Sequence, residues 1–438
     1  MKRIALLLIL LVSCTAGSFK YVEHTDAGSK YVLSNGMTLL LKENHDTGMV
    51  AIDVFIARSI AADNDLHGLS NFANRMLLTG TETRTREDIT QEIESAGGSI
   101  GVRTYVEFSE LTIQVPSESL SVALEILEDV LLHPSFNSSE IEKEMTLVLG
   151  ELNSKKDQPQ VVSEEVFMKT LYQNHPYGDP PDGYAEDVQR IVREDLVRHY
   201  SQWYVPERII ISIAGNIDEK KTARALSYLF GNMPARKAPQ IAISAPSPIV
   251  QPRMTTQNFI AESFFIQTGY LVTPATNPDF IPLRVLSGVL GLGSGSRLFY
   301  ELRDKKALAY SLYTAIPSIR TNGFLKVVMT VRPAVMNESI DALNEQFNRM
   351  KQEQVPEEEL AHVKQKMKGF FVLDHQKTSD QANYLGLYEM QGLGYHYDVE
   401  YPVRVYKVSS EDVQRVANKY LTNRATGIIG PFNESVIS

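Results

Sequence analysis

The chain has 438 residues, 43% apolar and 22% charged, which allows two or more full-sized domains and excludes a low-complexity or fibrous protein. Its formal charge of −10 argues against nonspecific nucleic-acid binding and against attraction to anionic lipid heads. The single cysteine, Cys14, excludes an intrachain disulfide and a cysteine-ligated zinc site.

The N-terminus carries an address. Lys2 and Arg3 precede the apolar run Ile4–Val12, which is too short to span a bilayer as a mature helix. It ends in Leu11-Val12-Ser13-Cys14, which resembles a bacterial lipobox, in which the cysteine is lipidated and becomes the first mature residue. The plainer alternative is a secretory leader cleaved near Ala16. The lipobox reading makes residues 1–14 a signal peptide and 15–26 a tether, and places the chain on the bacterial cell envelope through a lipid anchor.

Tyr31–Lys42 reads as a hairpin about the Asn35-Gly36 turn signal, and Met49–Ala57 as a strand. His67–Thr81 follows, with Leu69, Phe72 and Met76 at helical spacing as a buried stripe. Asn71, Asn74 and Arg75 share another face of that helix. A helix over Arg86–Ala96 stops at Gly97-Gly98, and Ile100–Val115 is a strand region. Ser119–Leu132 is an amphipathic helix. Ser138–Ser154 is a longer one, with Ser138 or Ser139 as its N-cap. A helix over Arg193–Trp203 and a strand over Ile209–Ala214 close the first half.

Five prolines between Met233 and Met254 leave no room for a long helix or central strand, so residues 233–254 form a linker. Behind it the pattern begins again. Glu194-Asp195-Leu196, Tyr204, Arg208 and the apolar run to Gly215 recur as Glu411-Asp412-Val413, Tyr420, Arg424 and the run to Gly430. Ser138–Glu151 has a positional counterpart in Val355–Gly369. The chain therefore divides into related α+β halves at 27–232 and 255–438, each expected to be a mostly antiparallel sheet with helices packed on one face, joined as a clamshell.

The frame G-L-x-x-F-x-x-x-M-L-x-x-G-T over Gly68–Thr81 resembles the active-site helix of the insulinase/pitrilysin (inverzincin) family, zinc peptidases built from such paired halves. The resemblance covers essentially the whole chain after the leader. It places Asn71, Asn74 and Arg75 where the family has the His, Glu and His of H-x-x-E-H. Glu151 matches the third zinc ligand and Glu144 the supporting carboxylate. An Asn amide is a poor zinc ligand, Arg75 brings a fixed positive charge, and nothing at position 74 can deprotonate a water. No metal is expected in this chain, and no cofactor. Either Arg75 pairs with Glu151 and Glu144 in the metal's stead, or these are ordinary positions lining an inherited cleft. His67 lies outside the motif frame, and Glu359 with His362 is too common a pair to mean metal.

Ser287–Tyr310 carries glycines at 291, 293 and 295 before a helix expected over Ser296–Asp304, without the Lys-Ser/Thr of a phosphate loop. Its run S-R-L-F-x-x-L-R-x-x-x-x-L-A-Y resembles the family's second-half signature. There an Arg and a Tyr reach the active site, and Arg303 and Tyr310 hold those places. The resemblance implies a noncatalytic subunit that lends Arg303 and Tyr310 in trans to a homologous H-x-x-E-H partner carrying the zinc. Peptides are the implied substrates, and an edge strand within Ile100–Val115 is the implied peptide-binding surface. The other class left open is an exported peptide- or protein-binding scaffold with no peptidase role.

Overall fold

The computed structural model describes residues 19–240 and 243–432. The leader, Cys14 and the start of the tether lie outside these residues. In chain order the first half holds β1 (Phe19–Thr25), β2 (Gly28–Leu33), β3 (Thr38–Glu43), β4 (Met49–Ala57), α1 (Leu69–Met76) and α2 (Arg86–Ser95). It continues with β5 (Ser99–Thr104), β6 (Phe108–Pro116), α3 (Leu120–Leu132), α4 (Ser138–Lys155), α5 (Pro159–Tyr172) and α6 (Ala185–Val188). It ends with α7 (Arg193–Trp203), β7 (Ile209–Gly215) and α8 (Glu219–Phe230).

The second half holds β8 (Arg253–Asn258), β9 (Phe264–Leu271), α9 (Phe280–Gly291), a π-helix over Phe299–Lys305, β10 (Ser311–Ala315) and β11 (Phe324–Val331). Then come α10 (Met336–Gln352), α11 (Glu357–Leu373), α12 (Thr378–Met390), α13 (Tyr397–Lys407), α14 (Ser410–Tyr420) and β12 (Ala425–Gly430). No regular element occupies the described residues between α8 and β8, so the proline-rich linker is present and ends two residues earlier than expected. The tether reading does not hold from Phe19 on, because β1 pairs antiparallel with β2 and adds an edge to the first sheet.

The internal repeat is visible in the sheets. The first runs β1-β2-β3-β7-β4-β6-β5 and the second β10-β11-β9-β12-β8. Read from β3, the first order matches the second read from β8. In each sheet a single parallel pair, β3 with β7 and β8 with β12, sits among antiparallel ones. The recurring Glu-Asp of the sequence marks the same device twice: Asp195 and Asp412 each accept from the backbone N–H three residues before, at the N-termini of α7 and α14.

Strand alternation decides what each face meets. Even residues of β4, Val50, Ile52, Val54 and Ile56, join the core under α3 and α8, and Phe264 and Ile266 of β9 do the same in the second half. The opposite faces are covered as well, each by a helix of the other half. Ala382 and Leu385 of α12 pack on Ala51, Ala214 and Leu40 of the first sheet. Val162 and Val166 of α5 pack on Ile429 of the second. Glycine admits both helices. A Cβ on Gly386 would lie 2.2 Å from the Phe55 ring, and one on Gly427 of β12 would lie 2.7 Å from the Phe167 backbone nitrogen. The sequence shows the one-sided packing of each half's own helices; the exchanged pair rests on contacts between distant segments.

Candidate functional site

α1 starts where the chain turns sharply. Gly68 has φ +94, and a Cβ there would lie 2.5 Å from the Asp182 carbonyl oxygen. The buried Asp63 carboxylate caps the helix, accepting from Gly68 N at 3.2 Å and Ser70 N at 3.1 Å, and is itself paired with buried Arg58. Leu69, Phe72 and Met76 are buried, packed with Ile141 and Val148 of α4 and Leu196 of α7. This apolar stripe fixes which face of α1 meets α4.

α4 is capped by Asn137, whose Oδ1 accepts from Ser139 N at 2.9 Å, rather than by Ser138 or Ser139. The side chain of the residue just before the helix reaches the N–H two residues on. Glu144 and Glu151 lie two turns apart on one side of α4, where both reach Arg75. Arg75 donates from Nε to Glu144 at 2.6 Å, and from its two Nη atoms to Glu151 at 2.8 and 3.0 Å. Arg86 of α2 adds a bond to the other Glu144 oxygen at 2.7 Å and one to Glu140 at 3.0 Å. Glu144 is buried and Glu151 is 54% exposed at its side chain, so the inner carboxylate needs its two guanidiniums most. Burial works against the Arg75 charge, but the bonds to Glu151 and Glu144 outweigh it and hold its pKa above the usual value. The motif gave no sign of Arg86; only its place one helix downstream of the degenerate motif could have drawn attention to it.

Asn74 is fully buried and serves the scaffold. Its Nδ2 lies 2.9 Å from the Arg103 carbonyl and 3.2 Å from that of Glu110, tying α1 to the β5–β6 hairpin. Asn71 is buried beside it. His67 contacts Asp187 at 2.6 Å just before the helix starts, a local partner unrelated to the motif face. Glu359 pairs bidentately with Arg297 at 2.7 and 2.8 Å, while His362 is exposed.

The strand region Ile100–Val115 is a hairpin of two strands. β5 lies at the edge of the first sheet, while β6 pairs on both sides with β4 and β5. Only Ser99–Thr104 can therefore accept another strand, and the interior register of β6 removes the remainder of the segment from that role.

Arg303 and Tyr310 stand apart from this cluster. The expected helix over Ser296–Asp304 is largely a π-helix, with Arg303 in its last turn and its guanidinium 4.6 Å from the Phe299 ring centroid. Tyr310 directly precedes β10, donating its backbone N–H to Thr330 O at 2.9 Å, and its side chain is 58% exposed. Among the described residues neither side chain makes a hydrogen bond or ion pair, and none links them to α1 or α4. Sequence reasoning thus named two groups, and the fold keeps them separate.

Residues 38–181 match the family model described as insulinase (peptidase family M16), and residues 190–367 the model described as the peptidase M16 inactive domain. The chain belongs to the insulinase family. It is 26% identical to an uncharacterized zinc protease of Bacillus subtilis, over 92% of this chain and 98% of that one. An uncharacterized zinc protease of Mycobacterium tuberculosis is 28% identical, over 83% of this chain and 84% of that one. The fold superposes with a TM-score of 0.86 on a peptidase M16 inactive domain from Pseudomonas fluorescens, at 20% identity over 92% of this chain and 98% of that one. A protease from Helicobacter pylori gives 0.84 at 20% identity, over 95% and 100%.

The zinc in those relatives' names does not fit this insulinase-family chain. A catalytic zinc needs three ligands that carry lone pairs. Here a guanidinium lies between the two carboxylates, and Asn74 spends its amide on backbone carbonyls. Among the described residues no group of three or more His, Cys, Asp or Glu is placed to hold a metal ion.

Proposed function

We propose that this chain is a noncatalytic, substrate-binding subunit of a heteromeric insulinase-family peptidase. Its partner is a homologous chain with an intact H-x-x-E-H motif, which carries the zinc, and the pair encloses peptide substrates between them. The observation that supports the reading is the state of Arg303 and Tyr310: both are exposed and their donors are unspent. A guanidinium and a hydroxyl in that condition can serve a peptide carbonyl and its developing oxyanion. The Arg75 cluster supports the same reading, because it fixes α1 against α4 without a metal.

The edge strand β5 offers extended peptides a backbone ladder with little side-chain selectivity. Cys14 is lipidated and holds the chain on the bacterial cell envelope, so Cys14→Ser releases the protein from membranes or blocks leader processing. Unaltered processing and membrane retention of that variant would remove the anchor from the reading.

Tyr310→Phe tests the central claim, since it deletes one hydroxyl and almost no volume. The complex with the H-x-x-E-H homologue assembles and keeps its zinc, while turnover falls about a hundredfold to a thousandfold, roughly 3–4 kcal/mol. Arg303→Ala acts in the same direction with more effect on substrate binding. Equal turnover for wild type and Tyr310→Phe would instead leave an exported scaffold without a peptidase role.

A further inference from the structure

The second half contains a counterpart of the α1–α4 face, and it has become a different kind of site. α9 follows β9 as α1 follows β4. Ser287 on α9 bonds Thr314 of β10 at 3.0 Å, as Asn74 on α1 reaches Thr104 of β5 at 3.3 Å. Arg297 pairs with Glu359 of α11 as Arg86 pairs with Glu140 of α4. This double register sets Arg284 in the place of Asn71, Gly288 in that of Arg75, and Val363 and Phe370 in those of Glu144 and Glu151. The close approach agrees with it: a Cβ on Gly288 would lie 2.9 Å from Val363 and 3.3 Å from the Met367 sulfur.

The helices close up at Gly288, and beside this contact a cavity of about 450 Å³ opens, with Gly288 and Phe370 on its wall. Arg284 lines it, together with Phe371, Tyr384, Tyr388 and Tyr401. It is the one charged residue of α9, and its guanidinium lies 4.9 Å from the Tyr401 ring centroid. Among the described residues it makes no hydrogen bond and no ion pair. The acids about the cavity do not pair with it: Asp398 lies 2.6 Å from His375 and 3.7 Å from Lys42, and Asp374, on the cavity wall beside His375, is exposed. The Arg284 guanidinium nitrogens are not among the buried unpaired polar atoms, so they open on the cavity and are free to meet an anion.

We propose that this cavity binds a carboxylate attached to a flat apolar group, with Arg284 taking the carboxylate through its planar fork and the tyrosines flanking the apolar body. The volume suits a small ligand or the last residue of a peptide. One cation with an acid nearby favours a monoanion over the dianionic charge of phosphate. The site stands independently of the peptidase-subunit reading, because its readout is binding to this chain alone.

The test uses the mature chain and calorimetric titration with four probes: N-acetylphenylalanine, its primary amide, and Ala-Ala-Phe with a free or an amidated C-terminus. A free acid binds and its amide binds roughly tenfold to a hundredfold more weakly, the loss expected for a charge-assisted bond. Binding of the small acid alone marks a free metabolite-sized acid as the source, and binding of the peptide acid alone marks a peptide C-terminus; both support the site. Arg284→Gln lowers acid affinity by the same factor, and Arg284→Lys restores part of it. Should either variant fail to fold, the acid–amide contrast in the wild type decides. Absence of binding by all four probes, equal affinity for acid and amide, or unchanged acid affinity in folded Arg284→Gln overturns the proposal.

Discussion

The two halves present the same helix pair, α1 with α4 and α9 with α11, and treat it in opposite ways. In the first half Arg75, Glu144 and Glu151 fill the position where the family's motif would place a metal with fixed opposite charges. In the second, Gly288 packs closely on Val363, and Arg284 is left without a hydrogen bond or ion pair in the cavity that opens beside them. The backbone frame is set by the apolar stripes, by the helix-to-strand hydrogen bonds and by the sheet order, none of which uses the residues that differ. A few side chains on one face therefore determine whether the frame is a closed ion-pair cluster or an open pocket. One scaffold thus carries two different chemistries.

The comparison holds only while each half completes the other, and the largest expected effect comes from separating them. Without α12 the first sheet would expose Leu40, Ala51, Phe55 and Ala214, all buried in the whole chain. Residues 19–232 expressed alone should give no cooperative melt, and coexpression with 253–438 should restore it. In the intact chain Gly386→Leu, which drives a side chain into Phe55, should cost about 3 kcal/mol or more and lower a single transition rather than split it. A native-like melt of the first fragment by itself would mean that the exchanged helices are decoration.

Much of this was readable beforehand, and for definite reasons. The Asn35-Gly36 hairpin, the strand Met49–Ala57, the helix Arg193–Trp203 and the repeat about the linker all follow from local turn chemistry and periodicity, which need no distant partner. The motif residues were legible because the frame over Gly68–Thr81 resembles the family's active-site helix; spacing added only that Asn71, Asn74 and Arg75 share a face. Four things were hidden. The exchange of α5 and α12 depends on contacts more than a hundred residues apart, and two glycines were its only trace. β1 looked like tether because no residue of Phe19–Thr25 is buried, so no apolar alternation marks it as a strand. The split of Ile100–Val115 into an edge and an interior strand required the sheet order. The Arg284 cavity needed the two halves aligned on structure, although a lone arginine in the apolar run Phe280–Gly291 was a signal in its own right.

A smaller effect sharpens the first-half side of the comparison. If Asn74 is now a strap and no longer a general base, what matters is that it donates. Asn74→Asp keeps the shape but offers a carboxylate to the Arg103 and Glu110 carbonyls. Stability measured by urea unfolding at neutral pH should fall by about 1–3 kcal/mol. The buried acid is expected to take up a proton in the folded state, which raises its folded pKa above its unfolded one. That contribution is retained below the unfolded pKa and lost as pH rises through the folded one, so the deficit should shrink on acidification. A neutral-pH stability equal to wild type would return Asn74 to the role of cleft lining.

The smallest effect lies at the ends of the second helix in each half. α2 stops at Gly97, which has φ +75, with Gly98 N bonding back to Ile93 O at 2.9 Å. The π-helix stops in the same way at Ala307, with φ +52, and Leu308 N reaches Leu302 O at 2.7 Å. The first half thus uses the residue that tolerates a left-handed turn, while the second holds an alanine there against its preference. Ala307 lies between Arg303, whose carbonyl accepts its N–H at 3.1 Å, and Tyr310. Ala307→Gly should relieve the left-handed conformation and, after the added freedom of the unfolded chain is deducted, stabilise by about 0.5 kcal/mol. Gly97→Ala should destabilise by about 1 kcal/mol, with the Pro116 ring 3.2 Å from the new Cβ adding to the backbone term. Thermal melts of the two variants side by side check the pair. Opposite signs would show that both helix ends are the same turn and that the second half carries strain next to Arg303 and Tyr310. Destabilisation by both would mean that the Ala307 methyl group packs well enough to offset its backbone, and the two ends would then be alike in shape only.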